Sequence, residues 1–215
     1  MKFSHIFFDL DGTLTDPALG ITNAILYARK KWGLPCGPNR EYTPFIGPPM
    51  PKSFEELWGF SEDEAKRFLA DYREYFSEKG LFENEIYPGM IGLLQKLKAS
   101  GAHLYVATTK PTEFSLRIAE HFGFAPYFDL ISGSGMDGDK AFKRDVIAYA
   151  RDTCGVDMTK AVMVGDRRHD VAGAHQCSIP CVGVTYGYGG RAELAEAGAD
   201  FIVDTVEELT ELLLN

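Results

Sequence analysis

The chain has 215 residues, of which 45% are hydrophobic and 25% are charged, and its formal net charge at pH 7 is −9. This length suits one well-buried domain with a modest insertion and is short for two independent domains. The acidic balance argues against a nucleic-acid partner, because binding to a phosphate backbone normally needs a basic stripe. It does not exclude a small anionic substrate, since a bound cation can reverse the electric field inside one cleft.

Six short apolar runs predict buried strands, and helical patterns lie between them. The strands are expected at residues 3–8, 103–107, 130–132, 161–164, 181–184 and 201–203. The helices are expected at residues 91–99, 112–122, 144–154, 171–177 and 207–214. This alternation predicts an α/β fold, a Rossmann-like parallel sheet with helices on both faces.

The stretch from residue 16 to residue 84 interrupts the alternation, because it has helical periodicity without a convincing strand. We therefore expect an α/β core domain of residues 1–15 and 85–215 and a small all-α domain of residues 16–84. Within the latter, Ser61 followed by Glu64 predicts a capping box at the start of a helix.

The N-terminal apolar run is interrupted by Asp9 and Asp11, so the sequence supports neither a signal peptide nor a membrane span. The four cysteines form no CxxC pair, and scattered thiols of this kind are usually reduced and packed. We expect a cytoplasmic protein that does not bind membranes. We also expect a monomer, since no amphipathic stripe is left over after the core and the insertion are assigned.

Acidic side chains follow two of the predicted strands, at the edge where an open parallel sheet binds its ligands. Asp9 and Asp11 follow the first strand, and their spacing lets both carboxylates face one crevice. Asp166 and Asp170 follow the fourth strand. A polar turn at Gly12 would explain the first pair alone. Gathering four carboxylates is costly unless a cation neutralises them, and an oxygen-only ligand set suits Mg²⁺.

Two hydroxyl side chains, Thr108 and Thr109, follow the second strand. Hydroxyls together with the backbone amides of a helix start suit a phosphoryl oxygen. A threonine pair shortly before Pro111 is also an ordinary helix N-terminus, so this pair becomes informative only in combination with the acidic residues.

In combination, these residues resemble the four motifs of the haloacid dehalogenase superfamily, in particular its phosphatase branch. The motifs are matched in order by Asp9-Leu10-Asp11-Gly12-Thr13, by Thr108, by Lys143, and by Gly165-Asp166 with Asp170. Four motifs in order at strand ends make a chance match improbable. The predicted all-α domain resembles the cap of the phosphoglycolate phosphatase-like subgroup.

The resemblance implies Mg²⁺-dependent hydrolysis of a small phosphorylated metabolite through an aspartyl phosphate. Asp9 would be the nucleophile, and Asp11 would act first as general acid and then as general base. Thr108 and Lys143 would complete the catalytic set by holding the phosphoryl group and balancing its charge.

The resemblance also implies a ligand set for the metal and for the substrate. Asp9, the backbone carbonyl of Asp11 and Asp166 would bind Mg²⁺, and Asp170 would support them directly or through water. Leu10, Gly12 and Thr109 would line the phosphoryl site. The loop at Gly47, Pro48 and Pro49 resembles the cap loop that faces the active site in that subgroup.

Some residues allow a second interpretation. Lys140 lies three residues before Lys143, and either could be a solvated lysine near a helix start; Lys143 is preferred because the sequence RDVI after it resembles the family pattern. Residues 133–138 fit GxGxxG, but the next strand ends at Asp166, which the acidic cluster already uses, so a dinucleotide site is rejected. His169 is expected outside the ligand set, because its neighbours suit a hard cation.

The identity of the substrate does not follow from these motifs. A nucleoside monophosphate phosphatase (5'-nucleotidase), a phosphosugar mutase and a catalytically silent metabolite-binding protein all fit the same scaffold. A dehalogenase fits less well, because displacement at carbon needs neither Asp11 nor a metal. Lys52 and Arg73 could recognise a charged substrate, although solvated side chains are the expectation for both.

Overall fold

The computed structural model describes residues 2–215, and its centre is a six-stranded sheet. The strands of the chain are β1 (His5–Phe8), β2 (Thr15–Asp16), β3 (Glu85–Ile86), β4 (His103–Pro111), β5 (Leu130–Ser134), β6 (Ala161–Gly165), β7 (Cys181–Val184) and β8 (Phe201–Val203). The large sheet has the order β5-β4-β1-β6-β7-β8 and all its strand pairs are parallel, whereas β2 and β3 form a separate two-stranded sheet. The predicted α/β class is therefore confirmed.

The position of β1 determines where a ligand can bind. Phe8, the last residue of β1, pairs with Val106 of β4 on one side and with Val164 of β6 on the other. After β1 the chain adds β4 and β5 on the first side and β6, β7 and β8 on the second. The carboxyl end of β1 is thus the point where the strand order reverses, the usual ligand position in open parallel sheets.

Six helices accompany this sheet in the described part of the chain. They are α4 (Met90–Ala99), α5 (Thr112–His121), α6 (Lys143–Cys154), α7 (Arg168–Gln176), α8 (Gly190–Glu196) and α9 (Val206–Leu214). Buried side chains of α6 and α7 pack on the sheet in one hydrophobic cluster that includes Val146, Ile147, Val171, Phe7 and Met163. None of the helices within residues 2–215 is long and apolar enough to cross a membrane.

Several elements differ from the sequence-based expectation, among them the short strands β2 and β3, which were not predicted. The helix α8 was not predicted, because it begins at the second of two adjacent glycines and only Leu194 of its seven residues is buried. The strand β4 ends at Pro111 rather than at residue 107, and its pairing with β5 shifts register between Ala107 and Pro111. Thr108 and Thr109 therefore lie in a strand, and α5 begins at Thr112, the residue at which the sequence predicts it.

The chain divides into two compact units, a core unit (the chain up to Asp16, with Ile86–Asn215) and a helical insert (Pro17–Glu85). The helical insert contains α1 (Ala18–Lys31), α2 (Met50–Trp58) and α3 (Glu62–Tyr75), together with a 3-10 segment at Asn39–Phe45 and a π-helical turn at Phe76–Gly80. A helical insertion after the first strand is therefore confirmed.

Aromatic side chains form the interior of the helical insert. Ring centroids are 4.5 Å apart for Phe45 and Trp58 and 4.9 Å apart for Phe54 and Phe68. The helix α3 begins with the predicted capping box, in which the Glu64 amide donates to Ser61 Oγ at 3.3 Å and the Ser61 amide donates to Glu64 Oε2 at 2.9 Å. The insert thus has its own core and its own helix-start signals.

Two helical glycines test how closely the helical insert is packed. A Cβ atom at Gly20 of α1 would lie under 3.0 Å from the carbonyl oxygen of Gly80, whereas one at Gly92 of α4 would meet nothing within 4 Å beyond its own helix. We expect Gly20→Ala to destabilise the protein by about 1–3 kcal/mol through overpacking. Gly92→Ala should stabilise it by about 0.5–1 kcal/mol through helix propensity. Urea denaturation of both variants measures the difference, and equal effects would contradict the close approach of α1 to Gly80.

Candidate active site

Three carboxylates gather at the carboxyl ends of two neighbouring strands. Asp9 follows β1, Asp166 follows β6, and Asp170 lies in the first turn of α7. One oxygen of each lies within 4.8 Å of the other two, and the three residues are 3%, 0% and 0% exposed. We call them the acidic cluster. Charges this close repel one another strongly when water is excluded, so cations must balance them.

Lys143, the first residue of α6, supplies one of these cations. Its Nζ atom lies 2.8 Å from Asp9 Oδ1 and 2.8 Å from Asp170 Oδ1, and it donates to the Ala107 carbonyl at 2.9 Å. Burial lowers the pKa of Lys143, but the carboxylates of Asp170 and Asp9 outweigh burial and leave the pKa above its usual value. The ammonium group is therefore charged at neutral pH and balances one of three negative charges.

The pKa values of Asp166 and Asp170, the other two members of the acidic cluster, reflect burial and the remaining negative charge. Burial, followed by the charges of Asp170 and Asp9, raises the pKa of Asp166 well above its usual value. Burial also raises the pKa of Asp170, to about 6, although Lys143 opposes the shift. Lys143 is the cation that contacts this cluster among the described residues, so negative charge remains after it is counted. A buried, oxygen-only cluster with surplus negative charge fits a divalent metal ion.

The backbone at Gly12 and Gly187 packs against the Asp166 side chain so closely that neither position has room for a Cβ atom. A Cβ atom at Gly12, which has φ +83°, would lie under 3.0 Å from the Asp166 carboxyl oxygens. A Cβ atom at Gly187 would lie under 3.0 Å from both the Gly12 carbonyl oxygen and Asp166. The Tyr188 amide donates to Asp166 Oδ2 at 2.7 Å. Glycine at both positions therefore lets two loops fix the orientation of this carboxylate.

Asp11 lies outside the acidic cluster and has its own cation. Lys110 Nζ is 2.6 Å from Asp11 Oδ1, and the two residues are only 8% and 7% exposed. Burial raises the pKa of Asp11, and the ion pair with Lys110 opposes that shift. Lys110 was not predicted to be a site residue. Lys110 lies two residues after Thr108, near the end of β4, and this position in the sequence does not indicate that its partner is Asp11.

The other residues expected at the phosphoryl site lie at the same edge of the core unit. The Leu10 amide donates to Asp9 Oδ1 at 2.7 Å. Thr108 is buried, and its Oγ1 atom accepts a hydrogen bond from the Lys110 amide at 3.3 Å. The carbonyl of Thr109 accepts from Ser134 Oγ at 2.8 Å. Leu10 therefore contacts Asp9 directly, whereas Thr108 and Thr109 lie in the neighbouring strand β4.

Several residues considered from the sequence lie elsewhere. Lys140 pairs with Asp139 at 2.6 Å, and its Nζ atom is 5.2 Å from the centre of the Tyr149 ring, whereas Lys143 reaches the acidic cluster. Among the described residues, His169 contributes no atom to that cluster. The loop of Gly47, Pro48 and Pro49 belongs to the helical insert, between the 3-10 segment and α2, and its contact with a substrate stays a prediction.

The parallel sheet thus has a buried cluster of carboxylates with an adjacent lysine at its switch point, an arrangement that suits phosphoryl transfer. Residues 6–184 match the family described as haloacid dehalogenase-like hydrolase, and the chain belongs to that family. The family suggested by the four motifs is thus confirmed.

Three relatives carry different names. A 5'-nucleotidase of Pseudomonas aeruginosa is 40% identical over 194 residues, which are 90% of this chain and 88% of that protein. The tyrosine-protein kinase PtkA of Mycobacterium tuberculosis is 37% identical over 211 residues, 97% of this chain and 72% of that protein. A phosphoglycolate phosphatase of Pseudomonas aeruginosa is 26% identical over 212 residues, 95% of this chain and 77% of that protein.

A solved structure is similar over nearly the whole chain. The crystal structure of a predicted phosphatase from Clostridium acetobutylicum superposes with a TM-score of 0.96 and 46% sequence identity. The match covers 99% of this chain and 98% of that one. The chain thus resembles phosphatases in both sequence and fold.

The buried ion pair of Lys110 and Asp11 can be tested by stability measurements. Lys110→Met removes the cation and leaves Asp11 buried without it, and removing one partner of such a pair typically costs about 3–5 kcal/mol. The double variant Lys110→Met/Asp11→Asn should recover much of that loss, because the unpaired charge is gone. Urea denaturation in the presence of EDTA measures the free energy of unfolding of the wild type, the single variants and the double variant.

Lys140→Met, which breaks an exposed ion pair, is the control and should change the free energy of unfolding little. Equal losses in the single and double variants would contradict the pairing.

Proposed function

We propose that the protein hydrolyses a small-metabolite phosphate monoester through an aspartyl phosphate on Asp9, with Mg²⁺ as cofactor. The observation that carries this proposal is the buried acidic cluster, in which Asp9 contacts Lys143 and lies within 4.8 Å of Asp166 and Asp170. A carboxylate that is oriented, buried and next to a fixed cation suits nucleophilic attack on a phosphate ester.

The hydrogen bonds of Asp9 orient it for attack. The Leu10 amide and Lys143 both engage Oδ1, so Oδ2 is the oxygen that attacks phosphorus. The new Asp9–phosphorus bond forms while the ester bond breaks, and Asp11 gives its proton to the leaving oxygen. Asp11 then takes a proton from water, which attacks phosphorus, releases inorganic phosphate and regenerates the Asp9 carboxylate.

The first step brings like charges together. At a separation of ~4 Å and an effective dielectric constant of ~20, each unit pair of carboxylate and phosphate charges costs roughly 4 kcal/mol. Lys143 offsets part of this cost because its ammonium already lies beside Asp9. Asp9, Asp166 and Asp170, with the backbone carbonyl of Asp11, would hold Mg²⁺. When bound, the ion supplies positive charge and Lewis acidity at the phosphoryl oxygens.

The substrate class is a further part of the proposal. Similarity to a 5'-nucleotidase supports a nucleoside monophosphate, and the more distant similarity to a phosphoglycolate phosphatase supports phosphoglycolate. A mutase would return an isomerised sugar phosphate in place of free phosphate, and a kinase-like relative would pass the phosphoryl group to a tyrosine hydroxyl. Release of inorganic phosphate separates hydrolysis from both.

The nucleophile can be tested directly. We expect phosphate release from a panel of nucleotide, sugar, glycolate and aryl phosphates to require Mg²⁺ and to stop in EDTA. Asp9→Asn should lose at least about 10³-fold in kcat, because the amide is a far weaker nucleophile than the carboxylate. The exposed Asp139→Asn variant is the matched control and should keep its activity. Undiminished turnover by Asp9→Asn would refute the aspartyl phosphate.

The metal site predicts a stability change that does not depend on turnover. Mg²⁺ at about 100 times its Kd should stabilise the wild type by about 2.7 kcal/mol. Asp166→Asn should abolish this stabilisation, and without metal it should be at least as stable as the wild type, since one of three repelling buried charges is removed. Thermal unfolding with and without Mg²⁺ measures both effects. A full Mg²⁺ shift in Asp166→Asn would contradict the assigned ligand set.

A further inference from the structure

Three tyrosines of the core unit lie beside the segment that links Asp11 to Asp16. The Tyr186 hydroxyl donates to the Thr13 carbonyl at 3.1 Å, and the Tyr188 hydroxyl donates a short hydrogen bond to Asp16. The ring of Tyr87 lies 4.8 Å from that of Tyr186, centroid to centroid. We call Tyr87, Tyr186 and Tyr188 the tyrosine cluster.

The tyrosine cluster borders the acidic cluster. Tyr186 and Tyr188 lie in the loop between β7 and α8, whose Tyr188 amide holds Asp166. Tyr87 follows β3, and its amide donates to the Leu14 carbonyl at 3.2 Å. Burial, and then the charges of Asp16, Asp166 and Asp11, raise the pKa of Tyr87. The phenol therefore stays neutral beside these carboxylates.

The hydroxyl of Tyr87 differs from those of its two neighbours. Tyr186 and Tyr188 use their hydroxyls on Thr13 and Asp16. The Tyr87 side chain is half-buried, and its hydroxyl forms no hydrogen bond within residues 2–215. A phenol in this position can both donate to and accept from an incoming group.

We propose that the Tyr87 hydroxyl contacts the leaving group of the substrate, and that this subsite takes an uncharged, hydroxyl-bearing alcohol such as a nucleoside or a sugar. This inference rests on the proposed phosphatase function and narrows its substrate class. Asp16, Asp166 and Asp11 lie around Tyr87. Asp11 pairs with Lys110 and Asp166 belongs to the proposed metal site, so Asp16 is the carboxylate of this set that would repel a carboxylate leaving group such as glycolate. Neutral hydroxyls exchange hydrogen bonds with a phenol, and aromatic rings offer a flat apolar surface to a base or a sugar face.

The central comparison is between Tyr87→Phe and the wild type. The variant keeps the ring and its packing on Tyr186 and removes only the hydroxyl. We expect kcat/KM to fall about five- to tenfold for a nucleoside 5'-monophosphate and a hexose phosphate, the loss of one neutral hydrogen bond. Phenyl phosphate, whose leaving group carries no further hydroxyl, should change less than about twofold by the same reasoning. Tyr149→Phe, exposed on α6, is the matched control and should leave all substrates unchanged.

The same panel includes phosphoglycolate, on which the wild type should be slower than on the hydroxyl-bearing esters. The inference is overturned if phosphoglycolate is the best substrate, or if Tyr87→Phe lowers kcat/KM equally for all four esters. Phenyl phosphate separates this failure from failure of the proposed function: if the wild type hydrolyses it and Asp9→Asn does not, the phosphatase mechanism holds whatever Tyr87 does. If no ester is hydrolysed, both proposals fall.

A binding measurement gives a readout without turnover. In the Asp9→Asn background, calorimetry should show that adding Tyr87→Phe weakens binding of the nucleoside monophosphate about five- to tenfold and leaves phenyl phosphate nearly unchanged. Equal weakening of both ligands would indicate a general packing role and would overturn the proposed contact.

Discussion

The site depends on one electrostatic constraint, the gathering of three buried carboxylates, two of which contact a single ammonium group. Lys143 is the first residue of α6, where a helix dipole disfavours a cation, and it is almost fully buried. It is stable there because Asp9 and Asp170 lie on either side of its Nζ atom. The net negative charge that remains is the physical reason to expect a divalent cation, and the same charge would otherwise act against the fold.

The two aspartates of the first motif, Asp9 and Asp11, form ion pairs with different lysines. Asp9 shares Lys143 with Asp170, whereas Asp11 has its own buried partner in Lys110. Two carboxylates two residues apart thus have different partners, which suits them to different roles. A nucleophile needs a fixed, charged oxygen, while an acid that becomes a base needs a proton affinity that can change during the reaction.

Sequence patterns predicted what depends on neighbouring residues: the apolar strands, most helices, the Ser61 capping box and the carboxylates at strand ends. They failed where a contact joins distant parts of the chain. The Lys110–Asp11 pair spans 99 positions, and no local pattern marks it. The tyrosine cluster likewise unites Tyr87 with the loop after β7. The extension of β4 to Pro111 depends on pairing with β5, a tertiary contact that the apolar run ending at residue 107 does not indicate.

The tyrosine cluster also explains how a strongly acidic site can accept an ester with an organic part. A phosphoryl group needs cations, and the fold supplies them close to Asp9. The segment from Asp11 to Asp16 has carboxylates at both ends, so a cationic lining there would be drawn into ion pairs as Lys110 is. Phenols avoid this outcome, because burial keeps them neutral while their hydroxyls still form hydrogen bonds. Charge beside Asp9 and the neutral Tyr87 hydroxyl would then bind the two halves of a phosphate ester by different interactions.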